Sequence, residues 1–236
     1  PYRPDRLSED NWRQFFSSRK IHTESGVLSE MWRSYGGNAK AMKILSGAIL
    51  TDSDGDIEAY WQENKDDLLI EQELNHLVAS QFTRLQAVDL DAYKLLCRLG
   101  CYRYQDISYV STEGVSCLLW DVPLGRHRRV IKSLQERSLL EGRRGQKYWL
   151  HPVIRAMAIA RLKASDEWTI THQNAAKFWM QSVQIVNTVE DALRALEAYH
   201  HYLEISNFEL ACNVIVEFKN SQWGEEIPLG WLFYRL

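Results

Sequence analysis

The side chains of this sequence able to do chemistry are seven histidines, four cysteines and one cluster of acids, and their spacing decides what each can do. Cys97 and Cys101 stand four apart among Leu95, Leu96 and Leu99, which puts two thiols on one face of a helix. A tetrahedral metal site needs further ligands that this segment lacks, so both are expected as buried free thiols. Cys117 and Cys212 stand alone. Asp52-Ser53-Asp54-Gly55-Asp56 with Glu63 puts oxygen ligands at positions 1, 3, 5 and 12 of a calcium-binding loop. Position 6 of such a loop needs glycine but is Ile57, and Gly55 comes two places early, so a capped polar turn between helices is expected. His200-His201, flanked by Glu197 and Glu204, reads as a surface or packing pair, while His22, His76, His127 and His172 are scattered. No serine lies in a G-x-S-x-G context and no G-x-x-x-x-G-K-[ST] loop occurs. Neither enzyme activity nor a metal site is expected within this chain.

The elements that must position these residues are mostly helical. Ser8 precedes Glu9-Asp10 and the apolar set Trp12, Phe15 and Phe16, as a cap with an acidic first turn should. A second helix carrying Val27, Met31, Trp32 and Tyr35 stops at Gly36-Gly37, and Asn38 caps a third with Ala41, Met42, Ile44, Leu45 and Ala48 at helical spacing. Helices holding Tyr60-Trp61 and Leu74 to Leu85 complete a small bundle over 1–86. From 87 to 165 the order becomes helix (Asp91–Leu99), a roughly alternating aromatic strand (Tyr102–Tyr109), a short helix (Gly114–Trp120) and a longer helix (Arg126–Leu139). A turn at Leu140–Gln146 and a hairpin strand at Lys147–Leu150 follow, which is the order of a winged helix. Pro152 opens another helix, and three more, over Thr171–Val186, Val189–Ile205 and Phe208–Phe218, are spaced by alanines and joined by short polar links. They predict antiparallel helical repeats over 166–236, with the aromatic run Trp231–Leu236 ending inside the next helix. The fold class is therefore mainly α: a small helical bundle, a winged-helix domain with a short β-hairpin, then antiparallel helical repeats.

One segment is strongly basic. Between Arg126 and Lys147 there are eight lysines and arginines against Glu136 and Glu141. Arg126, Arg128, Arg129 and Lys132 fall on the expected recognition helix and Arg143 and Arg144 on the wing, where winged helices contact phosphates and base edges. The alternatives are a solvated face or an ion-pairing surface. A DNA-binding regulator with a helical interaction module is accordingly the second reading.

Two short motifs point elsewhere. Gly36-Gly37-Asn38-Ala39-Lys40-Ala41-Met42-Lys43, closing one helix and opening another, resembles the "GLPLA" motif of NB-ARC proteins, signalling ATPases of the STAND class. Tyr148-Trp149-Leu150-His151-Pro152, directly after the hairpin, resembles their MHD motif. Ala39 stands where the family usually has proline, and Pro152 where it usually has aspartate. The order of bundle, winged helix and tetratricopeptide-like repeats is similar to multidomain bacterial, particularly cyanobacterial, members of that family. The resemblance implies that Gly37, Ala39 and His151 contact a nucleotide bound mainly by an upstream P-loop domain outside this chain, with His151 touching a phosphate of ADP. It implies no cofactor held by this chain alone, ADP or ATP in the parent protein, and nucleotide-dependent self-association. The repeats would recognise a partner protein. Read this way the polypeptide is an internal piece of a larger switch.

Composition is compatible with both readings. The 236 residues are 45% hydrophobic and 25% charged, with a net charge of -3, which excludes collagen-like and largely disordered classes and any whole-chain bias toward polyanions. Only five prolines and twelve glycines argue against a loop-rich all-β fold. No apolar run approaches the ~18 residues of a membrane span, so no membrane partner is expected and the cytoplasm is the expected compartment.

Overall fold

A computed structural model describes residues 6–23, 26–70, 73–143 and 146–219. It is mainly α, with twelve helices and one short antiparallel hairpin among the described residues. The expected run Trp231–Leu236 and the wing residue Arg144 lie outside them. The chain forms two compact units that interleave in sequence: one takes 1–94, 128–141 and 151–157, the other 95–127, 142–150 and 158 onward.

In the first unit, α1 (Glu9–Ser18) begins at a capping box in which Ser8 and Asn11 satisfy each other's backbone N–H groups. It buries Trp12 and Phe16, stacked at 5.9 Å. α2 (Val27–Ser34) and α3 (Ala39–Asp52) are joined through Gly36 and Gly37, both at positive φ, where only glycine is unstrained. A Cβ on Gly37 would meet the carbonyl oxygen of Leu7, so backbone fills the space a side chain would need. α3 is the central helix, with Ala41, Ile44, Leu45, Ala48 and Ile49 buried. α4 (Ile57–Ile70) and α5 (Leu74–Val88) pack against it and each other, contributing Tyr60, Trp61, Leu77 and Phe82. α6 (Leu90–Leu99) follows after Asp89, which caps it through Ala92 N–H. Gly47 of α3 meets the C-terminal end of α8 (Leu124–Glu136), where a Cβ would lie 2.6 Å from the Glu136 carbonyl oxygen. That close approach lets Arg137, just past the helix, reach Asp52 at 2.7 Å.

The second unit holds α7 (Thr112–Ser116), capped by Ser111, and the hairpin of β1 (Glu141–Arg143) and β2 (Lys147–Trp149), of which Glu141 itself falls in the first unit. β1 occupies part of the stretch expected to be only a turn. Conversely, the aromatic alternation over Tyr102–Tyr109 forms no strand: a single antiparallel bridge joins Val110 to Tyr148. Its aromatic residues serve the core instead. Tyr102 is buried, donates from its hydroxyl to the Gly114 carbonyl at 2.7 Å and sits edge-on to Trp179. α9 (Pro152–Lys163) leads to α10 (Trp168–Gln181), α11 (Val189–Glu204) and α12 (Phe208–Lys219), which pack successively. Thr188 and Asp191 form a capping box at the start of α11, at one of the expected polar joints.

Arg98 organises this unit. Its side chain is fully buried, yet all five of its N–H donors are used. Nε and Nη2 bond Glu167, Nη1 and Nη2 bond Asp121, and Nη1 also reaches the Leu118 carbonyl, at distances of 2.6 to 2.9 Å. The guanidinium lies 3.7 Å from the centre of the Trp120 ring.

Candidate functional site

A pocket of about 510 Å³ opens in the first unit at the N-terminal end of α3. Gly37 and Ala39 line it from the α2–α3 turn, and Lys40 and Lys43 from the first turns of α3. Glu141 lines it from the first residue of β1, and His151 from two residues past β2. The three residues that sequence reasoning associates with nucleotide therefore stand around one cavity, although His151 is about 110 positions from Ala39.

Each wall has a local cause. Asn38 accepts from Lys40 N–H and Ala41 N–H at 2.8 and 3.0 Å, which fixes the start of α3. Lys40 is buried, and its ammonium donates to Glu141 at 2.7 Å and to the Ser138 carbonyl at 2.8 Å. Burial pulls the lysine below its ordinary range while the Glu141 carboxylate pushes back. Burial also raises Glu141, but the hydrogen bond and charge of Lys40 outweigh it and hold the carboxyl below its usual range. Lys43, one turn on, is exposed.

His151 sits immediately before α9 and accepts the Val153 N–H on Nδ1 at 3.4 Å. Capping uses Nδ1, and no hydrogen bond engages Nε2 among the described residues. Burial, then the Lys40 charge, pull the imidazole below its ordinary range, against the pull of Glu141. It is neutral at pH 7, and with Nδ1 accepting, the ring proton resides on Nε2. That leaves one N–H donor for a ligand. The pocket combines this donor, two lysines and one carboxylate already held by Lys40, a set suited to an anion. Sequence reasoning does not single out Lys40, Lys43 or Glu141 as site residues. Both lysines lie inside the Gly36–Lys43 motif, but no local signal links Glu141 to it.

The other candidates are distributed differently. Arg126, Arg128, Arg129 and Lys132 are exposed on α8, with Lys132 paired to Glu136 at 2.9 Å. Arg143 is exposed on β1, its guanidinium 5.5 Å from the Trp149 ring centre. Cys97 and Cys101 are buried and in no disulfide, and no group of three or more metal-ligating side chains occurs among the described residues. In the acidic loop, Asp52 is held by Arg84 and Arg137, each at 2.7 Å, and Asp56 caps α4. Two of the would-be calcium ligands are therefore committed to structure. His172 and His201, treated as unrelated by sequence, meet in the second unit with Nδ1 atoms 3.0 Å apart. Burial drives both below the ordinary histidine range, His172 to about 4. No helix among the described residues is long and apolar enough to cross a membrane.

Comparison with known proteins finds no matching family model, no matching curated protein and no matching solved structure. The functional reading therefore rests on the residues themselves.

Proposed function

We propose that this chain is the regulatory portion of a nucleotide-dependent switch of the NB-ARC type. In this reading the His151 pocket closes over the phosphates of ADP, and the rest of the nucleotide is held by a P-loop domain outside the chain. The observation that carries it is the assembly of Gly37, Ala39 and His151, from two motifs far apart in sequence, around one cavity with an available imidazole N–H and two lysines. A donor fixed by its own capping contact favours whichever phosphate arrangement reaches it, and losing that contact in the ATP state biases the switch. The helices α10–α12 would recognise a partner protein, with exposed Val189, Phe208 and Val216 available for contact. Opening would expose surfaces for self-association.

The test compares ADP and ATP affinity of the protein that joins this chain to its P-loop domain, before and after His151→Ser. Serine retains helix capping but cannot reach into the pocket. A lost hydrogen bond to a charged phosphate is worth about 1.5–3 kcal/mol, so ADP should bind roughly 10- to 100-fold more weakly while ATP changes little. Unchanged ADP affinity removes His151 from the switch.

A further inference from the structure

A second concavity lies in the same unit, at the opposite end of α3, and no nucleotide reading uses it. It measures about 630 Å³ and is walled by Arg19 past the end of α1, Leu50 and Thr51 of α3, Asp89, and α8 with the residue that follows it. Four cations face it: Arg19, Arg129, Lys132 and Arg137. Two acids do as well, Asp89 and Glu136, but both are already engaged. Asp89 accepts from the Ser133 hydroxyl at 2.8 Å and caps α6, and Glu136 pairs with Lys132.

The guanidinium groups have no such balance. Arg137 pairs with Asp52, which also holds Arg84, and Arg84 in turn reaches Glu63 at 3.8 Å. Arg137 is only 6% exposed, and its Nη1 is buried without a hydrogen-bond partner. Arg19 donates to the Ser46 hydroxyl at 2.6 Å and to the Glu136 carbonyl at 3.5 Å, with no carboxylate partner among the described residues. Arg129 has neither a hydrogen bond nor an ion pair there. Arg19 and Arg129 thus have no carboxylate partner among the described residues, and Arg137 keeps one orphaned buried donor beside its Asp52 pair. An unpaired buried N–H of this kind is unfavourable unless something accepts it.

We propose that this pocket binds a small, multiply charged phosphate compound through Arg19, Arg129 and Arg137. Guanidinium forks match phosphate oxygens in both spacing and charge, and several of them around one concavity select a ligand with more than one phosphate. Duplex DNA fits less well. Its phosphates lie on a broad convex surface, whereas Arg137 is recessed. The basic stretch of α8, which the second sequence reading gives to nucleic acid, here supplies one side of a small-molecule site.

The probe is inorganic tripolyphosphate, titrated calorimetrically into the full chain at about 0.15 M salt, with sulfate at matched ionic strength as control. Saturable binding is expected, weakened about 10-fold or more by Arg19→Gln and by Arg129→Gln and unchanged by Lys177→Gln, an exposed lysine on α10. Arg19 and Arg129 are both partly or fully exposed, so circular dichroism should confirm that these variants fold. Absent binding, heat equal to that of sulfate, or affinity indifferent to both arginine variants overturns the proposal. Weakening only by His151→Ser would assign the phosphate to the other pocket instead. A DNA duplex that binds where tripolyphosphate does not would give the surface to nucleic acid.

Discussion

Replacing Arg98 by methionine removes the guanidinium while keeping an unbranched side chain of similar reach. Its five donors serve two carboxylates and a carbonyl, so the variant takes from Asp121 and Glu167 the guanidinium they share. Summing five charged hydrogen bonds would overstate the loss, because the carboxylates regain water in the unfolded chain. The better reference is the removal of one partner from a buried pair, which costs about 3–5 kcal/mol. Asp121 and Glu167 keep 32% and 23% of their side-chain surface exposed, so water takes up part of the orphaned charge and the lower end, about 3 kcal/mol, is expected. Urea unfolding followed by tryptophan fluorescence measures it, with the denaturant slope checked for a change in the unfolded state. Adding Asp121→Asn and Glu167→Gln to Arg98→Met should restore more than half of the loss, because neutral amides no longer repel. A loss below about 1 kcal/mol, or a triple variant no better than the single one, would refute the electrostatic account of this cluster.

Gly47→Ala sets helix propensity against space. Alanine favours a helix by about 1 kcal/mol, but its methyl group would press on the backbone of Glu136 and Arg137, and overpacking of that kind costs about 1–3 kcal/mol. A lower melting temperature is expected, and a higher one would show that the close approach is not needed. The His172–His201 pair makes the second unit sensitive to acid. Both folded values lie below the unfolded value of about 6.5, so the unfolded chain takes up protons first. Stability from the neutral pair is complete above about pH 6.5 and falls as pH drops toward 4. A His172→Gln, His201→Gln double variant should flatten that part of a melting-temperature profile, and an unchanged slope would place its cause elsewhere.

What the sequence made legible was local. Ser8 and Asn38 cap helices because their short oxygen-bearing side chains reach the next turn's amides, a contact spanning two or three residues. Gly36-Gly37 ends α2 for an equally local reason. The cavity residues Gly37, Ala39 and His151 were singled out by motif rather than by periodicity, which has no means of pairing positions so far apart. Arg98 shows the opposite limit. Beside Leu95, Leu96 and Leu99 it looks like a solvated position of the helix, and its partners lie 23 and 69 residues away. Arg137 was counted in a basic stretch, yet it is buried by Asp52, 85 residues earlier. The Tyr102–Tyr109 alternation misled because aromatic residues serve a packed corner as readily as a strand.

The interleaving of the two units has a consequence for synthesis on the ribosome. The first unit has most of its chain by residue 94 but lacks the pieces that end at 157, about 60 residues later. At about 5–20 residues per second, that gap lasts roughly 3–12 s. During it, Gly47 has no α8 to meet, the Lys40 ammonium has no Glu141, and Asp52 waits for Arg137. The nascent bundle therefore spends seconds with an open groove along α3 and two charged groups hydrated that will later be buried. A chaperone that shields such a groove should associate with stalled chains ending near residue 120 and release those that extend well past 157.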